Sequence, residues 1–220
     1  EYLSIPHHNN PLKGFIMLKR ILSAPVFAVL SGLLLAASAQ ANLIVNGGFE
    51  DNTVAAGNWS YFSSSAVNGW EGSNLEIWNN FGGVVAPEGN QHAELNAHPY
   101  TGGVFSIYQS FATVVGQIYD VSFFYSARES ANESFHFSVG TLATLINDHT
   151  VGTWNQFTGS FVANSNFSTI TFTTTDNSTV GNFLDAVVVT TRASVDEASS
   201  LMMLAIGMLG LVLVRRKVRA

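Results

Sequence analysis

Ile118-Tyr119-Asp120-Val121-Ser122-Phe123-Phe124-Tyr125-Ser126-Ala127 is the clearest period-two run in the chain. Tyr119, Val121, Phe123 and Tyr125 fall on one side, Phe124 falls on the other, and the run leads straight to Arg128. A helical turn of 3.6 residues would scatter these rings, whereas a strand lines them on one buried face. Working upstream, Thr113 to Gln117 holds a turn at Gly116, and Val104 to Phe111 alternates again, with Phe105, Ile107, Gln109 and Phe111 together. Gln91 to Leu95, Asn74 to Trp78 and Trp59 to Phe62 read as three shorter strands. Working downstream, Ser134 to Val139 and Leu142 to Ile146 flank Gly140-Thr141, a hairpin signal. Trp154 to Val162, Thr169 to Thr175 and Phe183 to Val189 complete the set. Frequent Gly, Asn and Ser turns, no helical periodicity and no internal repeat predict an all-β fold, an antiparallel two-sheet sandwich over residues 42–192.

The flanks read differently. Met17-Leu18-Lys19-Arg20, the apolar run Ile21 to Ala37 and Ala39-Gln40-Ala41 have the order of a secretory signal peptide over 17–41, cut by signal peptidase before Asn42. Residues 1–16 show no periodicity and read as an upstream extension from a misplaced start. At the other end, Leu201 to Val214 is apolar and Arg215-Arg216-Lys217-Val218-Arg219 is basic. As a helix, Leu201 to Val214 would reach about 21 Å, short of the roughly 30 Å hydrocarbon core. A transmembrane helix over 198–214 is expected, with the basic tail cytoplasmic.

Between Asn42 and Arg192 there are twelve acids and two bases, Arg128 and Arg192, a net of -10 with no lysine. Such a surface repels phosphate backbones and excludes nucleic acid as a partner. It suits neutral ligands and divalent cations. The chain has no cysteine, so an exported fold must stand on its core, with or without a metal.

The domain opens on Asn42-Leu43-Ile44-Val45-Asn46-Gly47-Gly48-Phe49-Glu50 and closes on Phe183-Leu184-Asp185. Between them come Gly69-Trp70, Gly89 to Leu95, Tyr108 to Phe111, Gly116 to Tyr119 and Phe124 to Arg128. This ordered set resembles the galactose-binding-like jelly roll, including carbohydrate-binding modules of families four and twenty-two. The resemblance implies a structural calcium where the first turn meets the last strand, which places Glu50 and Asp185 as metal ligands. Calcium takes six to eight oxygens, and the carbonyls of Asn46 to Gly48 are further candidates. Where the usual closing pattern has a second Asp, this chain has Ala186. The C-terminal segment 193–220 resembles a PEP-CTERM sorting signal, which implies a Gram-negative envelope and an exosortase-type protease as partner. Its motif Val195-Asp196-Glu197-Ala198-Ser199 lacks both prolines of that pattern. An ordinary C-terminal membrane anchor is the other reading.

Glu76, Trp78, His92, Glu94 and Arg128 are the candidate ligand-binding residues. Alternation sets Glu76 and Trp78, and likewise His92 and Glu94, on the face away from the core, and Arg128 ends a third strand. Sugars present apolar C–H faces and polar edges, so their sites pair an aromatic ring with carboxylates, amides or arginine. On this reading Trp78 stacks, while Trp59, Trp70 and Trp154 belong to the core. Glu76 and Glu94 are also the candidate carboxylate pair for glycoside hydrolysis. His92, Glu94 and His98 lack a zinc motif. The expected function is a non-catalytic exported protein, at the cell surface or outside it, that binds exopolysaccharide. The alternatives are a structural or adhesive matrix protein without a defined glycan and, third, a glycoside hydrolase.

Overall fold

The sequence alternation resolves into eleven strands in a computed structural model that describes residues 40–99, 102–193 and 205–208. The extension 1–16, nearly all of the signal 17–41 and most of the segment 193–220 lie outside the described residues. Among those described, no helix is long and apolar enough to cross a membrane.

The strands are β1 (Asn58–Phe62), β2 (Glu71–Gly72), β3 (Leu75–Asn79), β4 (Gln91–Glu94), β5 (Ser106–Ala112), β6 (Ile118–Ser126), β7 (Phe135–Val139), β8 (Leu142–Ile146), β9 (Asn155–Val162), β10 (Phe167–Thr174) and β11 (Phe183–Thr191). One sheet has the order β1-β3-β4-β11-β6-β9 and the other β2-β5-β10-β7-β8. All pairings within the sheets are antiparallel. The two inner faces meet in an aromatic core, as expected for a sandwich. Phe123 stacks on Phe157 at 4.8 Å and meets Phe172 edge-on at 5.1 Å. Trp70, fully buried, stacks on Phe49 at 5.4 Å.

The opening stretch is not a strand. Asn42 instead reaches across to β11 with its side chain: Oδ1 accepts from the Val189 amide at 2.9 Å and from Ile44 N at 3.1 Å, and Nδ2 donates to Val187 O at 3.1 Å. A turn follows in which Asn46 and Phe49 have φ of 52° and 57°, values that break a ladder. Val187 N donates to Gly47 O at 3.0 Å. A Cβ at Gly47 would collide with the Val187 carbonyl, so only glycine lets the two chain segments approach. On the β11 side the register shifts between Asp185 and Val188, with Ala186 at φ 50°. This bulge turns Asp185 inward toward the loop that precedes β4.

Candidate functional site

The six-stranded sheet carries two rows of side chains on its outer face. One pairs Trp59 with Trp78 and Trp78 with His92. The next pairs Tyr61 with Glu76, Glu76 with Glu94, Glu94 with Phe183, and Phe183 with Ser126. Leu75, Ile77, Ala93 and Leu184 point the other way, into the core. The alternation therefore brings Glu76, Trp78, His92 and Glu94 together, and Arg128 joins them from the end of β6.

These groups form one hydrogen-bonded unit. Arg128 Nη1 donates to both oxygens of Glu94, at 3.0 and 3.1 Å, and its guanidinium carbon lies 4.8 Å from the centroid of the Trp78 ring. Gly181 N also donates to Glu94 Oε1, at 2.7 Å. Glu76 accepts from Trp78 Nε1 at 3.0 Å and from His98 N at 2.7 Å. All four carboxylate oxygens are thus occupied. Burial, and after it the Glu76 carboxylate opposite, push the Glu94 carboxyl up to about 9, against the opposing pull of the Gly181 amide and Arg128.

The outer face is covered, which corrects the expected role of Trp78. Glu76, Trp78, His92 and Glu94 are all at most 3% exposed. Phe81 meets Trp78 edge-on at 4.9 Å, Phe183 does so at 5.0 Å, and Arg128 takes its face. Trp78 has no face left for a sugar. His92 sits among Phe183, Trp154 and Trp78, and burial lowers it to about 4. Of the five, Arg128 alone reaches solvent, with 27% of its side chain exposed.

The solvent-facing aromatics lie on either side of Arg128. A cleft of about 280 Å³ is lined by Trp59, Glu76, His98, Arg128, Thr179 and Val180. Tyr61, half exposed, packs edge-on to His98 at 6.3 Å beside it. A second cleft, of about 410 Å³, is lined by Val85, Ala127, Arg128, Trp154 and Phe183 among others. There Trp154 Nε1 donates to Val85 O at 2.9 Å, tying the 80–86 loop to the start of β9. Trp59 and Trp154 were expected in the core, and only Trp70 is there. The usable sequence signal was the parity of Trp59 with Tyr61 on an edge strand. A third depression, of about 370 Å³, at the far end of the same face, with Asp120, Ser122, Thr158 and Ser160 in its lining, has no aromatic side chain.

No protein-family model matches the chain, and no curated protein does. Among solved structures, a family 16 carbohydrate-binding module aligns at 15% identity and a TM-score of 0.48, covering 67% of this chain and 99% of that one. TmCBM61, solved with beta-1,4-galactotriose, aligns at 13% identity and a TM-score of 0.46, covering 69% and 99%. The CBM22-1 xylan-binding domain of Paenibacillus barcinonensis Xyn10C aligns at 14% and 0.41, covering 72% and 99%. Likenesses at this level assign neither a family nor a ligand, and the site rests on its own geometry.

The proposed metal ligands meet at one loop. Glu50 Oε1 accepts from Asn90 N at 2.6 Å and Gln91 N at 2.7 Å. Asp185 Oδ2 accepts from Glu88 N at 2.9 Å. Burial, with the nearby Glu88 and Glu50 charges, pushes Asp185 up to about 7, although the Glu88 and Ala186 amides oppose this. Among the described residues, no three His, Cys, Asp or Glu side chains gather closely enough to hold a metal alone. Of the turn carbonyls expected as ligands, Asn46 O already accepts from Phe49 N and Trp70 Nε1, and Gly47 O accepts from Val187 N. The two expected ligands, Glu50 and Asp185, thus share the 88–91 loop, and each already accepts from backbone amides.

Proposed function

We propose that the chain is an exported, non-catalytic surface or extracellular protein whose sandwich binds a neutral polysaccharide at the Arg128 ridge. The observation that carries this reading is the pair of clefts sharing Arg128, each walled by a partly exposed tryptophan. Such a wall stacks on the C–H face of a sugar while Arg128 and the Thr179 hydroxyl meet its hydroxyls. Trp78, Glu94 and His92 act beneath, holding Arg128 in place. The domain's net charge of -10 favours neutral over acidic sugars. Burial of Glu76 and Glu94, 2% and 0% exposed, supports binding over hydrolysis, since neither carboxyl reaches a glycosidic oxygen bound in the clefts. Calcium at Glu50 and Asp185 stabilises the junction of the chain ends. The apolar run 201–214 and the basic tail tether the protein to the envelope, where an exosortase-type protease processes it.

A glycan array and polysaccharide pull-down on the full chain test the proposal. Retained neutral glycan, reduced in Trp59→Ala and Trp154→Ala, supports it. If no glycan is retained, the structural or adhesive matrix reading stands. Release of reducing ends that Glu94→Gln abolishes would make the protein a hydrolase.

A further inference from the structure

One end of the sandwich carries a cluster of exposed apolar side chains among neutral polar ones, Asn164, Ser165 and Asn166, with Asp120–Arg192 as its nearest charged pair. Two turns lie side by side there, 113–117 between β5 and β6 and 163–166 between β9 and β10. Gly116 N donates to Ala163 O at 2.8 Å, Ala163 N to Gln117 O at 3.0 Å, and Thr113 N to Asn166 O at 2.9 Å. At the tip, Val114 and Val115 are 67% and 59% exposed. Phe167, 68% exposed, flanks them on one sheet, and Val162 and Ile118, directly paired across β6 and β9, flank them on the other. Exposed apolar groups scattered singly need no explanation, but a collar of five around one end does.

Charge sharpens the contrast. In a domain of net -10, residues 104–119 and 149–175 contain no Asp, Glu, Lys or Arg. The nearest charges, Asp120 and Arg192, pair with each other. The strand that leads to the C-terminal segment also leaves here. Arg192 N donates to Ile118 O at 2.9 Å, and Gln117 Nε2 donates to Arg192 O at 3.0 Å. Between Ala193 and the apolar run beginning at Leu201 are residues 194–200, a span of at most about 25 Å when extended.

From these three observations we infer that this end of the sandwich is a membrane-docking surface. Val114, Val115 and Phe167 enter the headgroup–acyl boundary beside the point where the chain continues to its apolar run. The surface is neutral, so it takes zwitterionic lipid without the repulsion that the acidic remainder of the domain would meet. Docking sets the sandwich end-on to the bilayer. The β11 start, the 80–90 loop and the Arg128 clefts then point away from the membrane, because β9 and β11 run from the cleft end to the docked end. The inference rests on the anchor reading of 201–219, and it is independent of any glycan.

The chain has no native cysteine, which permits single-site labelling. Val115→Cys, Phe167→Cys and, at the opposite end, Val85→Cys are made in the full chain, coupled to an environment-sensitive fluorophore and reconstituted in phosphatidylcholine vesicles with lipid-borne quenchers. The expected result is blue-shifted emission and several-fold stronger lipid quenching at 115 and 167 than at 85, lost at 167 when Val114 and Val115 are both changed to Asp. Vesicle-bound protein with equal, weak quenching at all three sites would overturn the docking surface and leave the anchor standing. Protein that stays off the vesicles would overturn the anchor reading and docking with it. Protection at 115 and 167 that depends on protein concentration, without lipid quenching, would assign the surface to a second copy and overturn the membrane proposal.

Discussion

Arg128→Met removes the guanidinium and keeps much of its apolar stem. Three interactions go: two donations to Glu94 at 3.0 and 3.1 Å and the contact with the Trp78 face at 4.8 Å. Both donations come from one nitrogen and count together as one hydrogen bond to a charged partner, about 1.5–3 kcal/mol, and the cation–π contact adds about 0.5–1 kcal/mol. The expected loss near pH 6.5 is therefore about 2–4 kcal/mol, a large share of the roughly 5–15 kcal/mol of a typical domain. For a domain of this size it lowers the melting temperature by roughly 5–15 °C. The loss must also depend on pH. Glu94 holds its proton up to about 9 with Arg128 present, and higher without it. Above pH 9 the parent gains from ionising Glu94 beside Arg128 while the variant cannot, so the gap widens by up to about 1.4 kcal/mol per pH unit. Urea denaturation from pH 6.5 to 10, followed by tryptophan fluorescence, measures both effects. In a Glu94→Gln background, where the Gly181 acceptor is kept, the pH-dependent part should vanish and the rest remain. A gap that does not change with pH, or that widens equally in the Gln background, would show that Arg128 does not govern the ionisation of Glu94.

Without divalent cations, stability should be highest near pH 5–6.5 and fall toward pH 9, on the order of 3–4 kcal/mol in total. Glu94 and Asp185 have raised folded values, about 9 and 7, so the unfolded chain releases their protons first as pH rises. His92, lowered to about 4, and His149, lowered by burial, oppose this below pH 6.5 because the unfolded chain binds their protons first. A denaturation series in chelator buffers checks the shape of the curve. Calcium should raise the melting temperature at pH 7.5, progressively less as Asp185 protonates below about 7, and not at all in Asp185→Asn; equal stabilisation in that variant would remove the metal reading. Gly47→Ala should cost about 1–3 kcal/mol, since its Cβ would strike the Val187 carbonyl, whereas Gly57→Ala, with open space around it, tests the strain of a positive φ without any collision.

Strand positions and face parity were legible in the sequence because both follow from a local period of two. Tyr119, Val121, Phe123 and Tyr125 all lie in the core, and the pairing of Glu76 with Glu94 follows from the same rule once β3 and β4 are neighbours. The resemblance set Glu50 and Asp185 at a shared cation; that both carboxylates accept from amides of the 88–91 loop was not part of that reading. What could not be read was burial on the outer face. Glu76 and Glu94 are sealed by the amides of His98 and Gly181, 22 and 87 residues away along the chain. No local pattern encodes a cover contributed by another segment. For the same reason Trp78 and Trp154 exchanged expected roles, and Glu88, beside Asp185, went unnoticed. Asn42 to Val45 has strand composition, yet it pairs through the Asn42 side chain, a substitution that β-propensity does not register.

The central claim is tested most directly by titrating the full chain with a neutral polysaccharide retained on the array and measuring heats for parent, Trp59→Ala, Trp154→Ala and Trp70→Phe. Because Trp59 and Trp154 wall the two clefts while Trp70 is core, the first two substitutions should each weaken binding about tenfold or more, roughly 1.4 kcal/mol, with the melting temperature nearly unchanged in Trp59→Ala and lowered in Trp154→Ala, which also loses the bond to Val85 O and the packing on His92. Trp70→Phe should lower the melting temperature and leave affinity intact. Affinity unaltered in both cleft variants would show that the Arg128 clefts do not hold the glycan.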